Sequence, residues 1–257
     1  MDTKNIKTLG KLMAVLDCFS TTEKHLTVTE IAERTKLPRS TAHRSILALK
    51  EVGFLEQDQR RDEYRLGLRL FQLGATVLDN MDIQREARPF VEALSGLTGE
   101  SVHLCVFDGE RMVFVERAAG GPTGSQNATI IMELSPCYCT GVGKATLAFQ
   151  PDDVIEKVIA AGLTPFTVNT ITSPDRLREE LALIRDRGYA LDREEHKTDV
   201  CCVAAPIRSA SGRVIAAVSA SGPAAQMTSE VSEGFAPYVV GHANAISRRL
   251  GATIEVT

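Results

Sequence analysis

Thr27-Val28-Thr29-Glu30-Ile31-Ala32-Glu33-Arg34-Thr35-Lys36-Leu37-Pro38-Arg39-Ser40-Thr41-Ala42-His43-Arg44-Ser45-Ile46-Leu47-Ala48-Leu49-Lys50 carries the plainest structural signal in the chain. Thr27 followed three residues later by Glu30 reads as a capping box, with each side chain bonding the other's backbone N–H. Ile31, Ala32 and Leu37 supply the apolar side of a short helix. It stops before Pro38, since the residue preceding proline is pushed out of the α region. Pro38 suits the first turn of a second helix, where its missing N–H costs nothing. That helix, from Arg39 to about Gly53, turns Ala42, Ile46, Leu49 and Gly53 to one face. Ser40 and Arg44 project opposite, with Thr41 and His43 at the flanks. A short helix, a tight turn and a helix bearing small polar and Arg side chains near its start form the arrangement that enters the DNA major groove.

Upstream, Leu9, Leu12, Leu16 and Phe19 fall at helical spacing and predict a first helix over Thr8 to Phe19. Downstream, Phe54-Leu55-Glu56 and Tyr64-Arg65-Leu66 read as two strands joined by a polar tip that carries Arg60 and Arg61. This hairpin is a β-wing whose arginines reach phosphates or the minor groove, or else form a solvated turn. His43 either contacts a base or faces solvent. The expected contacts to double-stranded operator DNA are Thr29, Arg39, Ser40, Thr41, His43, Arg44, Arg60 and Arg61. Charge agrees in sign: residues 1–66 hold 12 basic and 10 acidic side chains, and the remainder 17 basic and 23 acidic, within a chain of net charge −4.

Between Leu68 and Asp79, apolar residues Leu70, Phe71, Leu73, Val77 and Leu78 continue at helical spacing. The stripe is too apolar for an isolated helix, so it pairs with the same helix of a second subunit or packs on its own domain. Beyond it, a helix from Ile83 to Leu97 precedes strands at Val102–Phe107 and Met112–Glu116. Ser173-Pro174 opens a helix that closes at Gly188, followed by strands at Tyr189–Asp192, Val200–Ile207 and Val214–Ser221. A final helical stretch from Met227 to Leu250 is interrupted by Pro237. Helices around a mainly antiparallel sheet make an α+β domain.

At 257 residues, 44% hydrophobic and 24% charged, the chain has room for two globular domains. No apolar run is long enough to span a bilayer, and the polar first residues lack the apolar core of a secretory signal, so a cytoplasmic protein with no membrane partner is expected. Its cysteines are expected as thiols. Cys139 or Cys202 with His103 or His196 would be the nucleophile–base pair of a rival enzyme reading, but no nucleophile motif surrounds them. Cys201 and Cys202 point to opposite strand faces, which disfavours a zinc site built with Cys137 and Cys139. No catalytic residue, metal or cofactor is therefore expected. The alternative is a metal-containing or catalytic small-molecule-binding protein with a DNA-binding head.

Thr29-Glu30-Ile31-Ala32, Leu37 to Arg44 and Tyr64-Arg65-Leu66-Gly67 closely resemble the IclR family of transcriptional regulators. Cys139-Thr140-Gly141-Val142-Gly143-Lys144-Ala145, Asp192-Arg193-Glu194-Glu195-His196 and Val203-Ala204-Ala205-Pro206-Ile207 extend the resemblance through the second half. Lys36 departs from it, since members often carry Gly in that turn. A left-handed Lys there costs about 1 kcal/mol. The resemblance implies a winged helix-turn-helix over residues 5–67, a linker helix over 68–81 and a GAF-like effector-binding domain over 82–257. It implies homodimers that pair as dimers of dimers, two recognition helices on a pseudo-palindromic operator, and a small-molecule effector.

By motif position, Asp192, Cys202, Ser219 and Ser221 correspond to residues that bind effector in some members of that family. Strand alternation separately places Val200, Cys202 and Ala204 on one face, and Ser219 with Ser221 on one face. Backbone amides in Thr140–Gly143, leading into a helix expected to begin near Gly143, offer donors for a carboxylate; Thr140, Gly141 and Val142 are the effector-site candidates among them. Leu134 and Val200 are expected as apolar walls. Asp192 either accepts a hydrogen bond from a ligand hydroxyl or caps the turn that follows. Ser219, Ser221 and Cys202 have plain alternatives as strand residues and a small buried hydrophobe. The effector expected is a small organic acid or an aromatic metabolite.

Overall fold

The computed structural model describes residues 3–20, 23–58, 62–79, 82–120 and 134–254, with backbone only for 3–6 and 75–79. The chain divides into two compact units, Met1–Asn80 and Met81–Thr257.

The first unit contains α1 (Thr3–Leu16), α2 (Val28–Thr35), α3 (Arg39–Glu51), β1 (Leu55–Asp58), β2 (Glu63–Leu66) and α4 (Leu68–Asp79). The capping box is present: Thr27 Oγ1 accepts the Glu30 N–H at 3.3 Å, and Glu30 Oε2 accepts the Thr27 N–H at 2.8 Å. Lys36 takes the left-handed conformation (φ 54°, ψ 26°), so the strained turn is real and α2 ends on it. α3 ends in a Schellman motif: Gly53 (φ 78°) donates to Lys50 O and Phe54 to Leu49 O. Val15, Leu26, Ile31, Ile46, Leu49, Leu55 and Tyr64 form the unit's core.

Two expectations shift here. α1 starts and stops earlier than Thr8–Phe19, because the chain tightens into i→i+3 bonds after Val15. Val15 is then its buried residue, and Leu9 is exposed. The wing strands pair Leu55 with Leu66, Glu56 with Arg65, Gln57 with Tyr64 and Asp58 with Glu63. Tyr64 also exchanges both backbone hydrogen bonds with Leu26, which ties the wing to the start of the helix-turn-helix.

The second unit holds α5 (Asp82–Thr98), β3 (Ser101–Phe107), β4 (Arg111–Ala118), β5 (Leu134–Pro136), α6 (Gly141–Leu147), α7 (Asp152–Ala160), α8 (Pro174–Arg187), β6 (Ala190–Arg193), β7 (Val200–Arg208), β8 (Val214–Pro223) and α9 (Ser229–Arg249). The sheet is antiparallel in every pairing, in the order β5-β4-β3-β8-β7-β6. α5 and α9 pack together on one face, and α6 packs on the other, backed by α8. α9 runs through Pro237 without a break. The ring removes one N–H, and buried Ala236 and Val239 on either side hold the helix to the core. α7 and β5 were not foreseen from the sequence. β5 has three residues, too few to show alternation. Among the described residues no helix is long and apolar enough to cross a membrane.

Candidate functional sites: the recognition helix and a cavity beneath α6

On α3, Ala42, Ile46 and Leu49 are buried, while Arg39, Ser40, His43 and Arg44 are exposed and Thr41 half-buried. None of the five polar side chains makes a hydrogen bond or ion pair among the described residues. Neighbouring cations contrast with them: Arg34 is held by Glu23 and Cys18 O, and Arg65 by Glu56 at 2.8 Å. Thr29 is exposed in the first turn of α2. The helix-turn-helix thus presents one uncommitted polar surface. Arg60 and Arg61 lie outside the described residues.

In the second unit, the register of the sheet assembles a cavity of about 270 Å³ beneath α6. Asp192 pairs with Cys202 and Cys202 with Ser221, which forms one cross-strand row. Ala204, Ser219, His103 and Arg117 form the next. Side chains directly opposite across a sheet share a face, so residues far apart in sequence line one floor. Thr140, Gly141 and Val142 at the start of α6 roof it, with Phe114, Ser135, His196, Lys197 and Val200 around the rim.

Gly141 is required by contact. A Cβ there would lie 2.9 Å from Cys202 Sγ and 3.4 Å from the Ala204 Cβ, so only glycine lets α6 rest on β7. α6 begins at Gly141, two residues before the expected start. Thr140 is its N-cap and takes the Gly143 N–H on Oγ1 at 3.1 Å. The Gly141 N–H is directed at Cys202. The Gly141 and Gly143 amides thus have partners within the protein.

Asp192 caps the turn that follows it, one of its two sequence readings. Oδ1 accepts the Glu195 N–H at 2.8 Å and caps the turn, while Oδ2 stands 3.7 Å from Cys202 Sγ on the cavity side. Burial raises its pKa to about 7, opposed by the bond from Glu195. His103 moves the other way, to about 4, through burial and then the nearby positive charges of Arg117 and Lys197. Its Nδ1 lies 3.2 Å from Ser221 Oγ, and its ring meets Phe114 edge-on at 5.4 Å. Ser219 is buried, and its hydroxyl makes no bond among the described residues. Burial pushes the thiols of Cys139 (to about 12) and Cys202 (well above its ordinary value) upward, so both sulfurs stay protonated at neutral pH.

The cavity brings together Thr140, Gly141, Val142, Asp192, Val200, Cys202, Ser219 and Ser221, and it leaves out Leu134. Leu134 pairs with Val113 on the edge strand, is 50% exposed and borders a neighbouring cavity. Ser135, paired with buried Met112, has the parity that reaches inward. His103, Phe114, Arg117, Ser135, His196 and Lys197 were missed. For His103, alternation along β3 and pairing with Ser219 was the available signal. For Arg117 none existed in the local sequence, because a bulge turns it inward.

A winged helix-turn-helix in one unit and, in the other, an α+β domain with a half-open cavity that carries a few polar groups define a DNA-binding regulator that responds to a small molecule. Residues 8–59 match the IclR helix-turn-helix domain, and residues 75–248 match the C-terminal domain of bacterial IclR transcriptional regulators. The chain belongs to the IclR family of transcriptional regulators, with a helix-turn-helix DNA-binding domain and an effector-binding C-terminal domain. It is 31% identical over 247 residues to the HTH-type transcriptional regulator XynR of Escherichia coli, covering 96% of this chain and 98% of that one. The crystal structure of an IclR transcriptional regulator from Silicibacter sp. TM1040 is similar at a TM-score of 0.83 and 27% identity, covering 96% of this chain and 98% of that one. An IclR homologue from Microbacterium hydrocarbonoxydans, solved in complex with 4-hydroxybenzoate, is similar at a TM-score of 0.76 and 28% identity, covering 95% and 98%.

Proposed function

We propose that the chain acts in the cytoplasm as a homodimer, further paired as a dimer of dimers, that binds a pseudo-palindromic operator through two α3 helices. In this reading the winged helix-turn-helix spans 5–67, the linker helix 68–81 and the effector domain 82–257. A small organic acid or aromatic metabolite in the cavity changes operator affinity by binding one arrangement of the heads better than another. The observation that carries the DNA half is the uncommitted polar face of α3: Ser40, His43 and Arg44 face outward with no partner in their own domain. Thr29, Arg39 and Thr41 flank it, and Arg60 and Arg61 are assigned to the wing tip. The binding of 4-hydroxybenzoate by the Microbacterium homologue supports the aromatic-acid reading of the effector.

Arg44→Ala should weaken binding to the operator upstream of the regulated genes by about 1–3 kcal/mol if Arg44 contacts a base edge in bidentate fashion. Fluorescence anisotropy on a labelled operator reads the change, and unaltered affinity and footprint would remove Arg44 from the interface. In the same assay the Ser219→Ala, Ser221→Ala double variant should lose the effector response. Simultaneous loss of operator binding would mean that the serines are structural.

A further inference from the structure

β3 and β4 run in regular register from His103↔Arg117 to Leu104↔Glu116, but the next pair is Cys105↔Phe114. Val115 is an extra residue on β4. In an unbroken strand Phe114 and Arg117, three apart, would point to opposite faces. The bulge rephases the alternation and brings both to the cavity side, while Glu116 stays with α5, where Arg88 binds it at 2.9 Å and Gln84 at 3.3 Å. Bulges recur next to functional sites because they re-aim a side chain in this way.

The re-aimed arginine lacks a partner. Arg117 makes no salt bridge among the described residues, and its Nε is buried without a hydrogen-bond acceptor. Further along the same cavity lining, Ser135, opposite Met112, is 2% exposed with its hydroxyl likewise unbonded. A buried guanidinium N–H without an acceptor is costly, and both orphaned groups border the same cavity. The opposite end is closed by Asp192, which repels an anion once ionised. Arg117 on β4 is the half-buried cation of the cavity, whereas Lys197, which follows β6, is exposed at its rim on the side of the Asp192 carboxyl.

We infer that Arg117 is the charge-selecting residue of the effector site: it binds an anionic group of the ligand, a carboxylate, on the β4 side of the cavity. The ligand's neutral hydroxyl or carbonyl groups then lie towards Asp192, Ser219 and Ser221. This rests on the effector-site reading above and adds the direction in which the ligand lies. Planar, forked Arg suits a carboxylate better than a lysine ammonium does.

The test pairs acids with their neutral amides: benzoate with benzamide, 4-hydroxybenzoate with 4-hydroxybenzamide, and glycolate with glycolamide. Calorimetry and thermal shift are run on the full chain, on Arg117→Gln and on Arg117→Lys, with circular dichroism to confirm folding. The parent should prefer at least one acid over its amide by about tenfold or more. Arg117→Gln should abolish that preference, and Arg117→Lys should restore part of it. A parent that binds amides as tightly as acids, or an Arg117→Gln variant with the acid preference intact, would overturn the assignment while leaving the cavity as a ligand site. Binding of no probe by the parent would count against both Arg117 and the aromatic-acid effector reading. Binding of acids at a place that Ser219→Ala does not disturb would refute the effector cavity itself.

Discussion

Asp192 and His103 sit in one cavity with pKa values displaced in opposite directions, so they bias stability in opposite directions as pH changes. The folded protein keeps the Asp192 proton up to about 7, whereas the unfolded chain releases it near 3.8. Between those values the native state binds more protons, and stability falls as pH rises. For His103 the unfolded chain gains a proton near 6.5 and the folded protein only near 4. Stability therefore falls as pH drops through that window. Between about pH 4 and 6.5 the two slopes oppose each other, each worth up to about 1.4 kcal/mol per pH unit. Asp192→Asn should accordingly gain stability relative to the parent as pH rises from 4 to 7. His103→Asn should gain it as pH falls from 6.5 to 4. Urea denaturation across pH separates them, and two variants running parallel to the parent would refute both displacements.

At the level of elements, α6 is the unusual one: all seven of its residues are buried, Lys144 among them at 1% exposure. Its ammonium bonds Glu195 Oε1 at 2.5 Å and lies 3.7 Å from Glu180 of α8. The same Glu195 donates its N–H to Asp192, so the pair links α6, α8 and the turn after β6 to the cavity floor. Breaking such a pair from one side strands the other charge in the interior. Lys144→Met should cost about 3–5 kcal/mol of unfolding free energy, and adding Glu195→Gln should recover part of it. A single variant as stable as the parent in guanidinium denaturation would show that the pair carries no such weight. Helix α3 rests on simpler terms: an apolar stripe, the strained Lys36 before it and Gly53 after it, all within a short stretch of chain.

In the whole molecule, the exposed apolar residues of α4 ask for a cover. Leu68, Phe71 and Leu73 are 65%, 72% and 45% exposed, and each such side chain is worth about 1.5–3 kcal/mol when buried. In the proposed dimer a second copy of the chain would cover them and deliver a second α3 to the operator. Phe71→Glu should reduce the solution mass, by sedimentation equilibrium, towards the 27.9 kDa monomer and weaken operator binding with it. A parent that already sediments as a monomer would remove the paired-helix arrangement.

Much of this protein was readable from the chain because its signals are local. The capping box at Thr27 and Glu30, the stop at Lys36 and Pro38, the Gly53 terminus and the face of α3 each depend on residues within a turn or two. The row of Asp192, Cys202 and Ser221 was legible for a similar reason, since alternation and motif position agree. Leu134 failed on parity in a strand too short to show it. The inward turn of Arg117, the Lys144–Glu195 pair across 51 residues and the close approach of Gly141 to Cys202 came only with the folded sheet. Which side chains share a cavity is settled by cross-strand register and by one extra residue in β4, and pairing between distant segments leaves no mark on the sequence around either partner.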